Sequence, residues 1–210
     1  MIERSFISDN VKRFTVKEYI LKMFPRAGIS DVEIKRTPLG EKIVIYSSRP
    51  GLIVGRKGKN ISKLTEELKD KFELENPEIE VQEVTNIYLD PRIVAENIAS
   101  ILEKYGPNSF KAAMHKALDR IMRAGARGAE VIISGKVPGA RAKRWRVSRG
   151  YLKKCGEPAL TQVKEAHLDA ILKAGVVGVT VKILPPDEKL PDDITIKALE
   201  ENKEEEEKNE

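Results

Sequence analysis

The stretch "GLIVGRKGKNI", Gly51–Ile61, sets three glycines and three cations inside eleven residues. No other feature constrains the fold as tightly. Leu52–Val54 starts a short apolar helical turn, and Gly55 and Gly58 break it around Arg56 and Lys57. Helical spacing then resumes from about Lys59 to Phe72, with Ile61, Leu64, Leu68 and Phe72 on one face. A chain that ends one helix and begins another within a few residues must turn a sharp corner. Glycine supplies the positive φ and close backbone approach that such a corner needs. Backbone N–H groups at the start of the second helix can face an anion, and Arg56, Lys57 and Lys59 add charge at the same place. Ile53 and Val54 are expected to wall an adjacent apolar groove. Phosphates held by charge and backbone, with bases against an apolar wall, suit single-stranded nucleic acid.

Two other glycine-rich loops are excluded by spacing. A phosphate-binding P-loop needs Gly-Lys-Ser/Thr after four intervening residues, and counting from Gly51 puts Arg56 where the second glycine must stand. No G-x-G-x-x-G occurs, so a dinucleotide site has no support. A plain corner between two helices with surface charge is the remaining alternative, and the flanking elements argue against it.

Upstream, Ser8–Asn10 reads as a helix start after a loose residue 1–8 segment. Val11, Phe14, Val16, Tyr19, Ile20, Met23 and Phe24 follow at helical spacing until Pro25 and Gly28. Val32 and Ile34 alternate with charged neighbours, "PLGE" is a turn, and Lys42–Ser48 is a second strand, which together predict a β-hairpin. Ile79 and Val81 mark a third strand, with Val84 at its end. The order is helix, strand, strand, short helix, glycine break, helix, strand.

Asp90–Pro91 reads as a boundary, with Asp90 capping a helix whose first residue is Pro91. That helix is expected to reach about Tyr105, and a second to span Phe110–Ala124. From Gly128 the pattern becomes β: "AEVIISGKV", "RWRVSRGYL" and Gly175–Leu184. Residues 162–174 are ambiguous. Ala166, Leu168, Ala170, Leu172 and Ala174 alternate as in a strand, whereas alanine and leucine favour helix. Strands on both sides favour a fourth strand in a meander. These patterns predict an α+β chain with three parts: 1–86, 87–190 and an acidic, disordered tail, 191–210.

Charge points to the partner. The 210-residue chain carries +5 overall, but Lys197–Glu210 holds three lysines and seven glutamates, a net −4 that leaves +9 for residues 1–196. A basic body implies a polyanion. Charged residues make up 34% of the chain, above the usual quarter, and glutamine is nearly absent (Gln82, Gln162), a tilt shared with proteins of heat-adapted organisms. No stretch reads as a signal peptide or approaches the roughly 18 apolar residues of a membrane span. The single cysteine, Cys155, forms no internal disulfide, which fits a reducing cytoplasm.

Residues 10–85 resemble a KH domain of the second type, whose G-x-x-G loop clamps about four nucleotides of single-stranded backbone. "GAEVIISGKVPGARAKRWRVSRGYLKKCGEP" and "GVVGVTVKILPP" resemble the C-terminal domain of the small-subunit ribosomal protein S3 family, of the archaeal and eukaryotic kind. The resemblance covers Ser8 to about Asp193. It implies an N-terminal type II KH domain, a two-helix plus antiparallel-sheet C-terminal domain, and a structural place in the head of the small ribosomal subunit. It also implies binding to ribosomal RNA, a position near messenger RNA on the entry side, and neighbouring head proteins as partners.

Between Val131 and Gly156 there is no acid, and eight cations stand there: Lys136, Arg141, Lys143, Arg144, Arg146, Arg149, Lys153 and Lys154. Arg144 and Arg146 share one strand face, Trp145 and Val147 the other. The cations are expected to meet RNA phosphates. Trp145 reads as core, with base stacking as the alternative. The helix after Phe110 adds Lys111, His115, Lys116, Arg120 and Arg123. The resemblance associates this helix with holding the message, but Ala112 and His115 depart from the bacterial cations, so only Lys111 is carried over. His115 and His167 stand apart from any cysteine cluster, and no acid pair suggests a metal-dependent nuclease, so no metal, cofactor or catalysis is expected. A free-standing KH regulator and a nuclease are the rival functions. The basic span argues against the first, and the lack of a nucleophile in the loop argues against the second.

Overall fold

The computed structural model describes residues 2–25, 27–37, 40–72, 74, 76–188 and 190–194. Residues 195–210, which hold most of the segment expected to be disordered, lie outside the described residues.

Helix α1 runs Ile2–Met23, so the chain is helical well before Ser8–Asn10. No glycine or proline interrupts this stretch. Ser5 and Ser8 do not cap. Their hydroxyls donate back to the carbonyls of Ile2 and Ser5, both at 2.7 Å, inside the helix. Only the second half packs. Val16 and Ile20 are buried, while Val11 and Phe14, expected inward, face water.

Strands β1 (Ile29–Thr37) and β2 (Gly40–Ser47) pair antiparallel from Ile29↔Ser47 to Thr37↔Gly40. Strand β3 (Glu78–Glu83) joins β2 in parallel, giving the order β1-β2-β3. A parallel neighbour needs a crossover, and the glycine break lies within it, between α2 (Pro50–Val54) and α3 (Lys59–Phe72). Val16, Ile20, Ile43, Ile45, Ile53, Leu64 and Leu68 form one core between these helices and the sheet.

Helix α4 (Pro91–Tyr105) starts as expected, with Pro91 at its first position and the Asp90 side chain accepting from the Arg92 N–H at 3.2 Å. It ends at Gly106. Helix α5 (Phe110–Arg123) follows. Strands β4 (Gly128–Gly135), β5 (Lys143–Gly150), β6 (Lys164–Leu172) and β7 (Gly175–Leu184) form an antiparallel sheet, with a short α6 (Glu157–Thr161) between β5 and β6. Residues 164–172 are a strand, but the sheet is no meander. Its order is β5-β4-β7-β6, so β4 pairs with β7 at the centre and β5 and β6 are the two edges. The reason is hydrophobic. β4 and β7 bury alternate residues, Val131 and Ile133, Val179 and Val181, against α4 and α5, whereas β5 is exposed at most positions. On the opposite face a smaller cluster joins Leu152, Val163, Leu184 and Leu190.

Candidate nucleic-acid interface

The glycine corner is held from both sides. Ser47 is buried at the end of β2. Its hydroxyl donates to the Ala27 carbonyl at 2.8 Å and accepts from the Arg49 N–H at 3.0 Å, which aims the chain into α2. The Gly55 N–H then closes α2 on the Gly51 carbonyl at 3.0 Å. Gly55 sits at φ 69°, ψ −176°, a region essentially reserved for glycine. Lys57 and Gly58 are left-handed, at φ 54° and 74°. Asn60, in the first turn of α3, donates to the Leu52 carbonyl at 3.1 Å and so ties the two helices across the break.

This geometry pushes Arg56, Lys57 and Lys59 into solvent, and none of them has an acid partner among the described residues. It also corrects one expectation. Ile53 is fully buried in the core and supports the loop from beneath, so it offers no wall to a ligand. One turn of helix cannot turn two successive residues the same way. The apolar side chains accessible beside the loop are half-buried Val54 and half-exposed Leu52. Leu52 was legible from that same spacing.

The eight cations of the basic span divide into two groups. Arg146 pairs with Glu130, and Lys154 stands 3.9 Å from the same carboxylate. Arg149 pairs with Asp119 of α5. Lys153 pairs with Asp192, and this carboxylate, with the Tyr151 hydroxyl, holds the Lys153 ammonium above the ordinary lysine value. Lys136, Arg141, Lys143 and Arg144 have no acid partner among the described residues, and all are exposed. The paired group lies from Arg146 onward, and the unpaired group lies at the β4–β5 turn.

Lys111 joins the unpaired group. Its ammonium lies 5.3 Å from the centre of the Trp145 ring and 5.9 Å from that of Phe110. Trp145 is half-buried against Phe110, and its Nε1–H donates to the Val137 carbonyl at 2.8 Å. The indole therefore locks the turn rather than standing open for a base. Because β5 is an edge strand, cations reach its free edge from both sides: Lys111 from the helix layer and Arg144 from the opposite face. Further along α5, Lys116 and Arg120 line a small cleft with Tyr88, with Arg120 5.8 Å from that ring, and His115 and Arg123 are exposed.

The larger cleft, about 340 Å³, has the wrong sign for a polyanion. It lies between Phe24 and Leu168, and among the described residues Glu96, Glu103 and Asp169 line it against a single cation, Arg92. Among the described residues, no group of three or more His, Cys, Asp or Glu could hold a metal ion.

Residues 15–87 match the family described as "KH domain", and residues 98–183 match "Ribosomal protein S3, C-terminal domain". The chain is 46% identical over 196 residues to "Small ribosomal subunit protein uS3" of Methanococcus maripaludis, covering 93% of this chain and 92% of the relative. The chain belongs to the ribosomal protein S3 family. The protein of the same name from Methanocaldococcus jannaschii is 47% identical over 197 residues, covering 94% of each chain. That from Methanothermobacter thermautotrophicus is 44% identical over 192 residues, covering 91% of this chain and 74% of the relative. The S3 family is one of ribosomal proteins, not of enzymes. Its KH match spans the glycine corner, and its C-terminal match spans α5, the β4–β5 turn and β5.

Proposed function

We propose that this chain is a structural component of the small ribosomal subunit, that it binds ribosomal RNA in the subunit head through two separate surfaces, and that it contributes to the side where messenger RNA enters. The first surface is the glycine loop, with Arg56, Lys57 and Lys59 for phosphates and Leu52 and Val54 beside them. The second is the free edge of β5, with Lys111, Lys136, Arg141, Lys143 and Arg144. The single observation that carries the reading is that Lys136, Arg141, Lys143 and Arg144, at the β4–β5 turn and the start of β5, and Lys111, over the Trp145 ring, have no acid partners among the described residues, while the rest of the basic span is engaged within the fold. Gathering five like charges costs self-repulsion, and a polyanion supplies the missing counter-charge. Messenger contact falls to Lys111, and neighbouring head proteins complete the partner set. The site of action is the cytoplasm, and no described helix is long and apolar enough to cross a membrane.

Sedimentation of a native extract through a gradient tests this. The chain should travel with small subunits, and the association should survive moderate salt. A chain that stays at the top of the gradient rules the reading out. On isolated protein, full engagement of the five edge cations predicts a slope of about −3.5 for log affinity against log salt with a single strand.

A further inference from the structure

Glu130 is an acid buried beneath a basic surface. Val131 and Ile133 of β4 pack towards the helices, so Glu130 faces the other side of the sheet, opposite Ser148 of β5 and Lys182 of β7. Two cations meet its Oε1 atom: Arg146 through Nε, and Lys154 at 3.9 Å. Lys182 pairs instead with Glu165 of β6, at 2.8 Å. One carboxylate under two cations leaves a net +1. The acid is 5% exposed and out of a ligand's reach, whereas the side chains of Arg146 and Lys154 are 48% and 56% exposed. A guanidinium held along its Nε edge keeps its outer end, the two Nη groups, for a second partner. Lys154 stands too far from Oε1 for a hydrogen bond, so its ammonium is drawn to the site without being tied.

We propose that Glu130 is a positioning residue: it holds Arg146 with its Nη end outward and Lys154 beside it, and these two cations receive one RNA phosphodiester on the outer face of the sheet. The proposal rests on the reading of β5 as an RNA surface, and it lengthens that surface. Arg144 stands on the same face, two residues back and about 7 Å along the strand. The charges match, since a phosphodiester carries one negative charge and the group has one positive charge over. The geometry matches too, because the two Nη groups can donate side by side to phosphate oxygens. Burial of the carboxylate gives the arrangement its stiffness. A buried charge must stay paired, so Arg146 is not released to solvent, and its side chain is ordered on folding rather than on binding. An unanchored surface arginine would lose that freedom only when RNA arrives.

The test uses the full chain and a short fluorescent oligouridine. Glu130→Gln raises the net charge by one, so charge alone would tighten binding. Loss of the anchor should instead weaken it about threefold at low salt. Arg146→Lys keeps the charge and can still meet Glu130, but it has no second end to offer, and it should weaken binding by a similar factor. Lys154→Gln should flatten the slope of log affinity against log salt by about 0.7. Lys104→Gln, the same charge change at the exposed end of α4, should leave that slope unchanged. Melting curves check that each variant folds, and if Glu130→Gln does not, Arg146→Lys and Lys154→Gln carry the test. Tighter binding by Glu130→Gln, unchanged binding by Arg146→Lys, or equal slopes for Lys154→Gln and Lys104→Gln would each overturn the proposal while leaving the RNA surface standing. If Lys143→Gln with Arg144→Gln does not weaken oligouridine binding, the RNA surface itself is lost and the proposal falls with it.

Discussion

Arg144 and Arg146 stand two residues apart on one face of β5, yet only Arg146 has an acid partner among the described residues. Arg146 pairs with Glu130, whose side chain is only 5% exposed, whereas Arg144 meets no acid among the described residues. Arg146→Glu sets a second carboxylate against a buried one. Its urea midpoint should fall by the equivalent of about 2–3 kcal/mol. Arg144→Glu should stay within about 0.5 kcal/mol of the parent while weakening oligonucleotide binding. The reverse ranking would mean that the pairing is wrong. The same logic separates the two loop glycines. A Cβ at Gly55 meets the Asn60 amide at 2.5 Å in a backbone region closed to other residues, whereas at Gly58 it meets nothing within 4 Å. Gly58→Ala should cost about 1 kcal/mol, from the left-handed backbone alone. Gly55→Ala should cost more and loosen the tie between Asn60 and Leu52, which thermal melts of the two variants would show. The sequence located the cations and glycines at these sites but not which cations are free. Glu130, Asp119 and Asp192 lie outside the acid-free span, and sheet register and helix packing, not local spacing, bring them to it.

Residues 164–172 show how far local pattern reaches at the scale of the element. Composition favoured helix and alternation favoured strand, and alternation decides because one face of β6 rests on α4. Ala170 is fully buried there, while Ile171 is 74% exposed. Ala170→Leu should overpack and destabilise by about 1–3 kcal/mol, and Ile171→Lys should change the denaturation midpoint little. The order of strands was not legible, because every antiparallel order buries the same alternate residues. It follows from which strands can be buried: the charged faces of β5 and β6 leave the centre to β4 and β7. The first half of α1 was missed for the opposite reason. It has no packed face to generate a period, and only the absence of helix breakers keeps it helical. Amide exchange should therefore be fast from Ile2 to about Lys12 and slow near Val16 and Ile20.

At the scale of the whole molecule, the two cores meet where α4 passes β1, and Glu96 of α4 stands at that junction. Glu96 is half-buried, and desolvation raises its pKa above the ordinary glutamate value, against the Gly28 backbone N–H, Arg49 and Arg92, which pull it down. The folded chain therefore holds this proton more tightly than the unfolded chain. The associated stability is fully present below the ordinary glutamate value and is lost as pH rises through the raised one. Asp193 works the other way. Arg127 and the Leu190 N–H hold it down to about 2, so its contribution is full above the ordinary aspartate value and disappears as pH falls through about 2. Glu96→Gln keeps an acceptor for Gly28 but removes the charge, so it should melt higher than the parent at neutral pH and converge with it as pH drops below the ordinary glutamate range. Asp193→Asn should melt lower at neutral pH and converge only near pH 2. Melting curves of the parent and both variants across pH 2–7 check the two together. A Glu96→Gln curve that lies below the parent at neutral pH would mean that the ionised carboxylate, held by Arg49 and Arg92, stabilises the junction instead of straining it.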